Sequence, residues 1–269
     1  MNSVHQRAGR AWLARLLARR RFAALEFLNA RLSTVGRGPV WDQEAFPWLD
    51  QLNAATPAIN AEFAAYAASG AYLPDVQDME AGSAQLYGPQ RWEMLHLHLV
   101  GRRIAPVCAR FPETERLLSQ VPGLCHAKFS VLGAERHHVP RHRDGYNGVL
   151  RLHLPLQVPP GDCYIEVAGR RVDWRVGHGF VFDPGCQHEV YKAAKQERVV
   201  LIADFFRPGP AWLGARSRRF YQGLSQRPEV QAAYECYLAL YGSLGEPVSD
   251  PISKDGLNKS PVIVDNGAS

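Results

Sequence analysis

The segment from Leu150 to Val158 alternates between leucine and other residues, and it constrains the possible fold more than any other part of the chain. Successive side chains of a β-strand point to opposite faces, so this alternation predicts a strand with two different sides. One side carries leucines, and the other carries Arg151 and His153. The polar side could face water or line the mouth of a β-barrel, and the pattern alone leaves both open.

Further short strands follow, separated by glycine and proline. The predicted strands are Cys163–Ala168, Val172–Trp174, Phe180–Asp183, His188–Tyr191 and Arg198–Phe206. Many short strands with such punctuation are typical of an all-β sandwich or a double-sheet jelly roll. We therefore predict a mainly β fold with helical flanks, a double-stranded β-helix (jelly roll) of the cupin-like type.

The flanking regions have the composition of helices. Residues 43–120 are expected to be mostly helical, with helices at Ile59–Ala68 and Thr114–Leu118, and another helix is expected at Val230–Leu240. The run Leu95–Leu99 alternates instead, which places its histidines, His96 and His98, on a strand.

The tripeptide His142-Arg143-Asp144 is followed by an isolated histidine, His188, on a predicted strand. Two histidines and one carboxylate can hold Fe(II) by one face and leave the other face open. Such a tripeptide also occurs by chance, and a single histidine is more often an ordinary strand residue. The strand-rich sequence around these residues favours the metal site.

Other side chains near these residues could compete for a metal. Cys186 lies two residues before His188, and His137 and His138 come shortly before the His-x-Asp pair. A loop thiol beside iron is usually a bystander. The two adjacent histidines fall in a predicted turn, residues 133–138, where we expect solvent exposure or substrate contact.

Arg198 follows His188 by ten residues, and Arg207, next to Pro208, is expected to face solvent. A dicarboxylate such as 2-oxoglutarate needs a cation at the end that lies away from iron, and a guanidinium meets a carboxylate with two parallel N–H donors. The two histidines, Asp144 and Arg198 together predict an oxygenase that uses Fe(II), 2-oxoglutarate and O₂.

A series of short motifs runs in order from about Trp41 to Pro208, over roughly two-thirds of the chain. The motifs are Phe46-Pro47-Trp48, Phe111-Pro112-Glu113-Thr114, Ala127-Lys128-Phe129-Ser130, Val139-Pro140-Arg141-His142, Tyr146-Asn147-Gly148, Leu150–Leu154, Trp174-x-x-Gly177, Phe182–Val190 and Arg198–Pro208. This ordered set resembles the aspartyl/asparaginyl β-hydroxylase family of Fe(II)/2-oxoglutarate oxygenases. The resemblance implies a jelly-roll catalytic domain.

The resemblance also implies roles in binding 2-oxoglutarate. Arg151 and His153 match the residues that hold its C1 carboxylate. Arg198 matches the arginine that pairs with the C5 carboxylate, and Ser130 matches a serine that assists this arginine.

His142 and His188 match the two iron-binding histidines of the family, but the carboxylate position departs from the common pattern. Many members have glycine two residues after the first histidine, and water replaces the carboxylate ligand. This chain has Asp144 there, and the relatives that hydroxylate fatty acyl chains of lipid A look similar at this point. Asp144 either completes a full triad or lies beside the metal without binding it.

Charge is mild overall and concentrated at one end. The 31 basic and 26 acidic residues give a net charge of +5, which does not imply a nucleic-acid partner. Seven arginines fall within the first 31 residues, in a stretch of helical character. Its arginine-rich face could rest on anionic lipid, or the helix could be solvated and pack its apolar side on the core. The stretch lacks an uninterrupted apolar run, so we expect neither a signal peptide nor a transmembrane span.

The five cysteines are scattered and show no Cys-x-x-Cys motif. We expect reduced thiols in a cytoplasmic protein, with peripheral contact to the inner membrane surface through the basic end as an option. The expected organisation is a basic helical segment (1–40), an oxygenase domain (41–210), a helical segment (211–241) and a mobile tail (242–269). The oligomeric state is not predicted.

The favoured substrate, by resemblance, is the β-carbon of an aspartyl or asparaginyl group that is free, carrier-bound or within a peptide. The alternative enzyme hydroxylates the acyl chain of a lipid such as lipid A, which Asp144 and the basic N-terminus favour. A different class is a non-catalytic cupin-like binding protein. The complete set of candidate ligands argues against that class.

Overall fold

A computed structural model describes residues 22–76, 90–144 and 148–242. Residues 22–31 are helical and form α1. The other helices are α2 (Leu49–Ala54), α3 (Thr56–Ala68), α4 (Ala105–Cys108), α5 (Pro112–Leu118), α6 (Ala211–Ser225) and α7 (Pro228–Gly242), with a short 3₁₀ helix at Gln43–Ala45. The strands are β1 (Val40–Trp41), β2 (Trp92–Leu99), β3 (Arg102–Arg103), β4 (Leu124–Leu132), β5 (His137–His142), β6 (Val149–Gln157), β7 (Cys163–Val167), β8 (Arg170–Asp173), β9 (Phe180–Phe182), β10 (His188–Lys192) and β11 (Arg198–Phe206).

The strands form two antiparallel sheets. The large sheet has seven strands in the order β1-β9-β6-β11-β4-β2-β3, and the small sheet has four in the order β5-β10-β7-β8. From β4 onward the chain passes from one sheet to the other at every connection except the β7–β8 hairpin, which stays within the small sheet. Repeated crossing between two antiparallel sheets is the connectivity of a jelly roll. The predicted double-stranded β-helix with helical flanks is confirmed.

Two apolar layers hold the fold together. The first lies between the large sheet and the helices, and it includes the leucines of β6, Phe129 of β4 and Phe63 of α3. The second lies between the two sheets, and it includes Ile165, Val190 and Ile202. The side of the large sheet that faces the helices is called the helix side below, and the side that faces the small sheet is called the barrel side.

The strands from residue 150 onward were predicted to within a few residues of their ends. The expected helices at Ile59–Ala68, Thr114–Leu118 and Val230–Leu240 lie within α3, α5 and α7. The expectation that residues 43–120 are mostly helical was wrong at β2, an eight-residue strand that carries His96 and His98 as its own alternation predicted. It pairs with β4, a partner that local composition does not reveal.

The two ends of the chain are described only in part. Residues 1–21 of the predicted basic segment and residues 243–269 of the predicted tail lie outside the described residues. All five cysteines are free thiols. Within the described ranges, no helix combines the length and the apolar character that crossing a bilayer requires.

Candidate metal centre

The two predicted metal histidines face each other across neighbouring strands. His142 at the end of β5 pairs in register with His188 at the start of β10, and their ring centroids lie 4.2 Å apart. Asp144 follows two residues after β5, and its backbone N–H donates to the carbonyl of Pro184 at 2.8 Å. One ligand atom from each of His142, Asp144 and His188 lies within 4.8 Å of the others. The fold thus brings the three predicted ligands together.

Backbone carbonyls fix which nitrogen of each histidine is available to a metal. Nδ1 of His142 lies 2.7 Å from the carbonyl oxygen of Pro140, and Nδ1 of His188 lies 2.9 Å from that of Cys186. A carbonyl oxygen only accepts, so each Nδ1 carries the proton and donates it. Nε2 of both rings then carries the lone pair that a metal ion needs.

The carboxylate of Asp144 forms an ion pair with an arginine. Its Oδ2 lies 2.7 Å from Nη1 of Arg151. Arg151 also makes a two-pronged pair with Asp204, from Nε to Oδ1 at 2.7 Å and from Nη2 to Oδ2 at 2.8 Å. Burial raises the pKa of the Asp144 carboxyl, but Arg151 and the two histidines outweigh it and hold that pKa below its ordinary value. Asp144 is therefore ionised and oriented at neutral pH.

This donor set fits a divalent iron ion. Two imidazole nitrogens and one carboxylate are the ligands of the Fe(II) centres that keep coordination positions open. Burial lowers the pKa of His188 to about 4, so its ring is neutral, as a metal ligand must be. One ligand atom of each of the three side chains lies within 4.8 Å of the others, so these are the residues that would hold the ion.

Arg198, the candidate partner for the far carboxylate of 2-oxoglutarate, is a buried cation with no anion paired to it in the part of the chain that the structure describes. Its side chain is on the barrel side and only 2% exposed. Nε and Nη1 have no hydrogen-bond partner among the described residues. The guanidinium carbon lies 4.6 Å from the ring centroid of Trp174. Burial lowers the pKa of Arg198 to about 10, which leaves it charged at neutral pH.

Ser130 and His153 lie on the strands that flank β11, on the same barrel side. Ser130 pairs with Val200 in register, and its Oγ accepts from Nε1 of Trp92 at 3.0 Å, so its O–H can still donate. Nε1 of Trp174 donates to Nδ1 of His153 at 3.4 Å, which leaves the proton of that neutral ring on Nε2. Burial lowers the pKa of His153 well below its ordinary value, and the nearby charge of Arg198 lowers it further.

Arg151 also faces the barrel side, so the polar side of β6 lines the interior rather than the solvent. All three nitrogens of its guanidinium already contact a carboxylate oxygen of Asp144 or Asp204. Its predicted contact with the C1 carboxylate of 2-oxoglutarate would have to be shared with these two partners.

Two sequence expectations near the site were wrong. Arg207 was expected to face solvent, but it is 5% exposed and paired with Asp183, which also accepts from the N–H of Gly185 at 2.9 Å. His137 was expected in a turn, exposed to solvent or in contact with substrate, but it begins strand β5, pairs with Lys192 and is only 4% exposed. Both errors arise because the partner lies far away in the sequence.

Three side chains of the site had no role assigned from the sequence. Asp204 clamps Arg151, Trp174 contacts both Arg198 and His153, and Trp92 donates to Ser130. The sequence could have placed Asp204 on the barrel side, because it lies six residues after Arg198 on one strand and therefore shares its face.

A second group of potential ligands has a different character. His98, Cys108 and Glu115 also lie close together. Both oxygens of Glu115 are engaged, one by His98 at 2.9 Å and the other by Arg103 at 2.6 Å. Burial raises the pKa of the Cys108 thiol to about 12. We interpret this group as an ion-pair network that attaches α5 to β2.

Comparison with known proteins agrees with this geometry. A rhizobial protein, ornithine lipid ester-linked acyl 2-hydroxylase of Rhizobium tropici, is 35% identical over 185 residues. The match covers 68% of this chain and 66% of that protein. Human aspartyl/asparaginyl beta-hydroxylase is 30% identical over 147 residues, which covers 52% of this chain and only 18% of the human protein.

Among solved structures, a Pseudomonas putida prolyl-4-hydroxylase matches with a TM-score of 0.38 and 19% identity, over 58% of this chain and 88% of that one. The family model described as aspartyl/asparaginyl beta-hydroxylase matches residues 53–208, which contain the metal histidines, Asp144 and Arg198. That span is more than half of the sequence, and the chain belongs to the aspartyl/asparaginyl β-hydroxylase family.

Proposed function

We propose that this protein is an Fe(II)- and 2-oxoglutarate-dependent hydroxylase. The observation that carries the proposal is Arg198, a buried guanidinium with no anionic partner among the described residues, in the same barrel as the His–Asp–His cluster. An uncompensated buried charge is costly, so such a residue indicates a site for an anionic ligand. Iron, 2-oxoglutarate and O₂ would supply the oxidising chemistry that inserts a hydroxyl group into an unactivated C–H bond.

The residues of the chain would bind and orient these groups. His142, His188 and Asp144 would hold the metal and leave its other positions open. Arg198 would pair with the distal carboxylate of 2-oxoglutarate, and the Ser130 hydroxyl would donate to the same end. The Nε2–H of His153 would donate to the end nearer the metal, together with any contact that Arg151 retains.

The aromatic wall of the pocket would keep water out. Trp174, Phe180 and Phe182 are buried in the layer between the sheets, and all three rings lie within 6.0 Å of the His153 ring. A dry pocket strengthens each of the charge pairs described above.

For the substrate, we propose the acyl chain of a lipid. The rhizobial relative, an acyl hydroxylase by name, matches a larger part of the chain than the human relative does. Arg151, the cation next to the metal ligands, also supports this choice, because it is already paired with the carboxylates of Asp144 and Asp204. An aspartyl substrate would need a cation for its own carboxylate, whereas an acyl chain needs none.

The second candidate substrate is an aspartyl or asparaginyl group, which the family description and the human relative support.

We also propose a cytoplasmic location, which the five free thiols support. A binding protein without catalysis is disfavoured by the complete set of candidate ligands.

The test is succinate formation by the protein with Fe(II), 2-oxoglutarate and O₂. It would be measured against an ornithine lipid, lipid A, free aspartate and an aspartyl/asparaginyl peptide, with hydroxylated product identified by mass spectrometry. We expect coupled turnover with an acylated lipid. Turnover with the peptide alone would move the substrate to the second candidate, and no 2-oxoglutarate binding or turnover would refute the enzyme.

A further inference from the structure

The exposed side of α6 is basic and carries a large aromatic side chain. Trp212 is 50% exposed, and the exposed Arg216 and Arg219 follow it at helical spacing on the same side. Arg218 is exposed as well, and the helix contains no acidic residue. None of these arginines forms an ion pair with another residue of the described ranges.

The neighbouring helix α1 exposes residues of the same kind. It packs on α6 through a hydrogen bond of 3.2 Å from Ser217 to Asn29 and through the rings of Phe22 and Phe220, whose centroids lie 5.3 Å apart. Its outer side exposes Arg31 and Phe27, and Phe27 is 63% exposed. The 21 residues that lead into α1 contain six arginines and no acidic residue.

The position of α6 relative to the metal ligands follows from its contact with β11. Asp204, which clamps Arg151 beside Asp144, is followed two residues later by the end of β11. The last strand residue, Phe206, contacts Tyr221 of α6 with ring centroids 5.5 Å apart. Helix α6 is therefore attached at the end of the barrel that carries the metal ligands.

We propose that α6 forms a docking surface for an anionic phospholipid bilayer, made of Trp212, Arg216, Arg218 and Arg219. The proposal rests on the proposed lipid substrate. Arginines without an ion-pair partner among the described residues are attracted to acidic headgroups, and an exposed tryptophan inserts between headgroups and acyl chains. Charge alone would also suit a nucleic acid, but the exposed Trp212 among the arginines favours the lipid interface.

The test is sedimentation of the 269-residue protein with vesicles. Phosphatidylglycerol mixed with phosphatidylcholine would be compared with phosphatidylcholine alone. We expect binding to the anionic vesicles only, weakening as salt is raised. Each basic residue near an anionic surface contributes about a fivefold gain in partitioning, so Arg216→Gln/Arg219→Gln should lower binding by roughly tenfold to thirtyfold. Trp212→Ala should lower it by roughly tenfold, because half of a large apolar side chain leaves the interface.

Matched variants separate this surface from general charge. Arg136→Gln/Arg175→Gln removes two exposed arginines on other parts of the protein and should bind vesicles like the wild type. Arg216→Lys/Arg219→Lys should restore binding. No binding of the wild type to anionic vesicles, equal loss in both double variants, or preferential binding to duplex DNA would overturn the proposal.

Failure of the docking surface is distinguishable from failure of the proposed function. Hydroxylation of a lipid dispersed in detergent does not require docking, so Arg216→Gln/Arg219→Gln should keep that activity while losing activity on vesicles. If the double variant acts on vesicles as well as the wild type does, the surface is wrong and the enzyme remains. If neither protein acts on dispersed lipid, the proposed substrate is wrong.

Discussion

Along β6, residues alternate between two faces of the large sheet that bury very different chemistry. Leu150, Leu152 and Leu154 face the helix side and are fully buried in an apolar layer. Arg151 and His153, interleaved with them, face the barrel side next to the metal ligands. Contacts between apolar side chains stabilise the helix side. On the barrel side the buried groups are polar, and burying a polar group costs free energy unless it finds a hydrogen-bond or charge partner.

Two arginines on the barrel side differ in whether a carboxylate of the protein neutralises their charge. Arg151 is balanced by Asp144 and Asp204, so it contributes to a closed network within the protein. Arg198 on β11 has no such balance among the described residues. A buried charge therefore indicates a ligand only after its partners within the protein have been identified.

The largest effect is expected for a metal ligand. His188→Ala should weaken Fe(II) binding by more than about a hundredfold, because two remaining side chains cannot hold a labile ion. Iron content after gel filtration measures this directly. His138→Ala is the control, since His138 lies on the neighbouring strand with half of its side chain exposed and should keep its iron. Iron retained at wild-type affinity in His188→Ala would remove the assignment.

Arg198→Met tests the uncompensated charge. Affinity for 2-oxoglutarate should fall by about 2–5 kcal/mol, because a buried carboxylate would lose its counter-charge. The free energy of unfolding without ligands should stay equal or rise, since an unpaired buried cation is replaced by an apolar side chain. Calorimetry and urea unfolding measure the two quantities. Arg136→Met, at an exposed position, should change neither, and a stability loss without an affinity loss would show that Arg198 is structural.

Leu152→Ala tests the helix side of the same strand. A fully buried leucine truncated to alanine should lower the free energy of unfolding by about 3 kcal/mol, because a cavity opens under the helices. Affinity for Fe(II) in the folded protein should remain close to that of the wild type. Urea unfolding and metal titration would be run side by side. Loss of iron affinity in proportion to the loss of stability would mean that the two faces are not independent.

Asp144→Gly should have the smallest effect. It removes a carboxylate that is partly exposed and already shared with Arg151. We expect Fe(II) affinity to fall by roughly tenfold, with part of the activity surviving as water takes the open position. Asp144→Asn is the matched variant, because it keeps the shape and removes the charge. An unchanged Fe(II) dissociation constant in both would show that the carboxylate does not bind the metal.

Local patterns predicted the strands because alternation and turn residues are short-range signals. They also singled out His142, Asp144 and His188, which the fold brings close together, and the metal-binding role of these residues stays a prediction. Alternation places Arg151 and His153 on one side of a strand, and His142 meets His188 because both stand at the ends of strands that pair. Local patterns do not reveal which distant side chain a residue will pair with. The Arg151–Asp204 pair spans 53 residues and the Arg207–Asp183 pair spans 24, so neither the clamp nor the burial of Arg207 was visible locally.

The same limit applied to the helical flank. The composition of residues 43–120 is that of helices, and α2, α3 and α5 follow it. Strand β2 departs from it because β4 offers a long unpaired edge, and pairing with that edge outweighs composition. His96 is buried on this strand and lies close to the hydroxyl of Tyr237 in α7, a contact between residues 141 positions apart.

The carbonyls that orient the two metal histidines belong to Pro140 and Cys186, and the side chains of those residues take no part in the bonds. Proline at position 140 is no disadvantage, because only its oxygen is used. The orientation of the two histidines is therefore encoded in the path of the main chain. Both positions should tolerate exchange of side chain as long as that path is kept. A designer transplanting this centre into another barrel would need to copy two backbone shapes for the histidines, and supporting side chains only for Asp144.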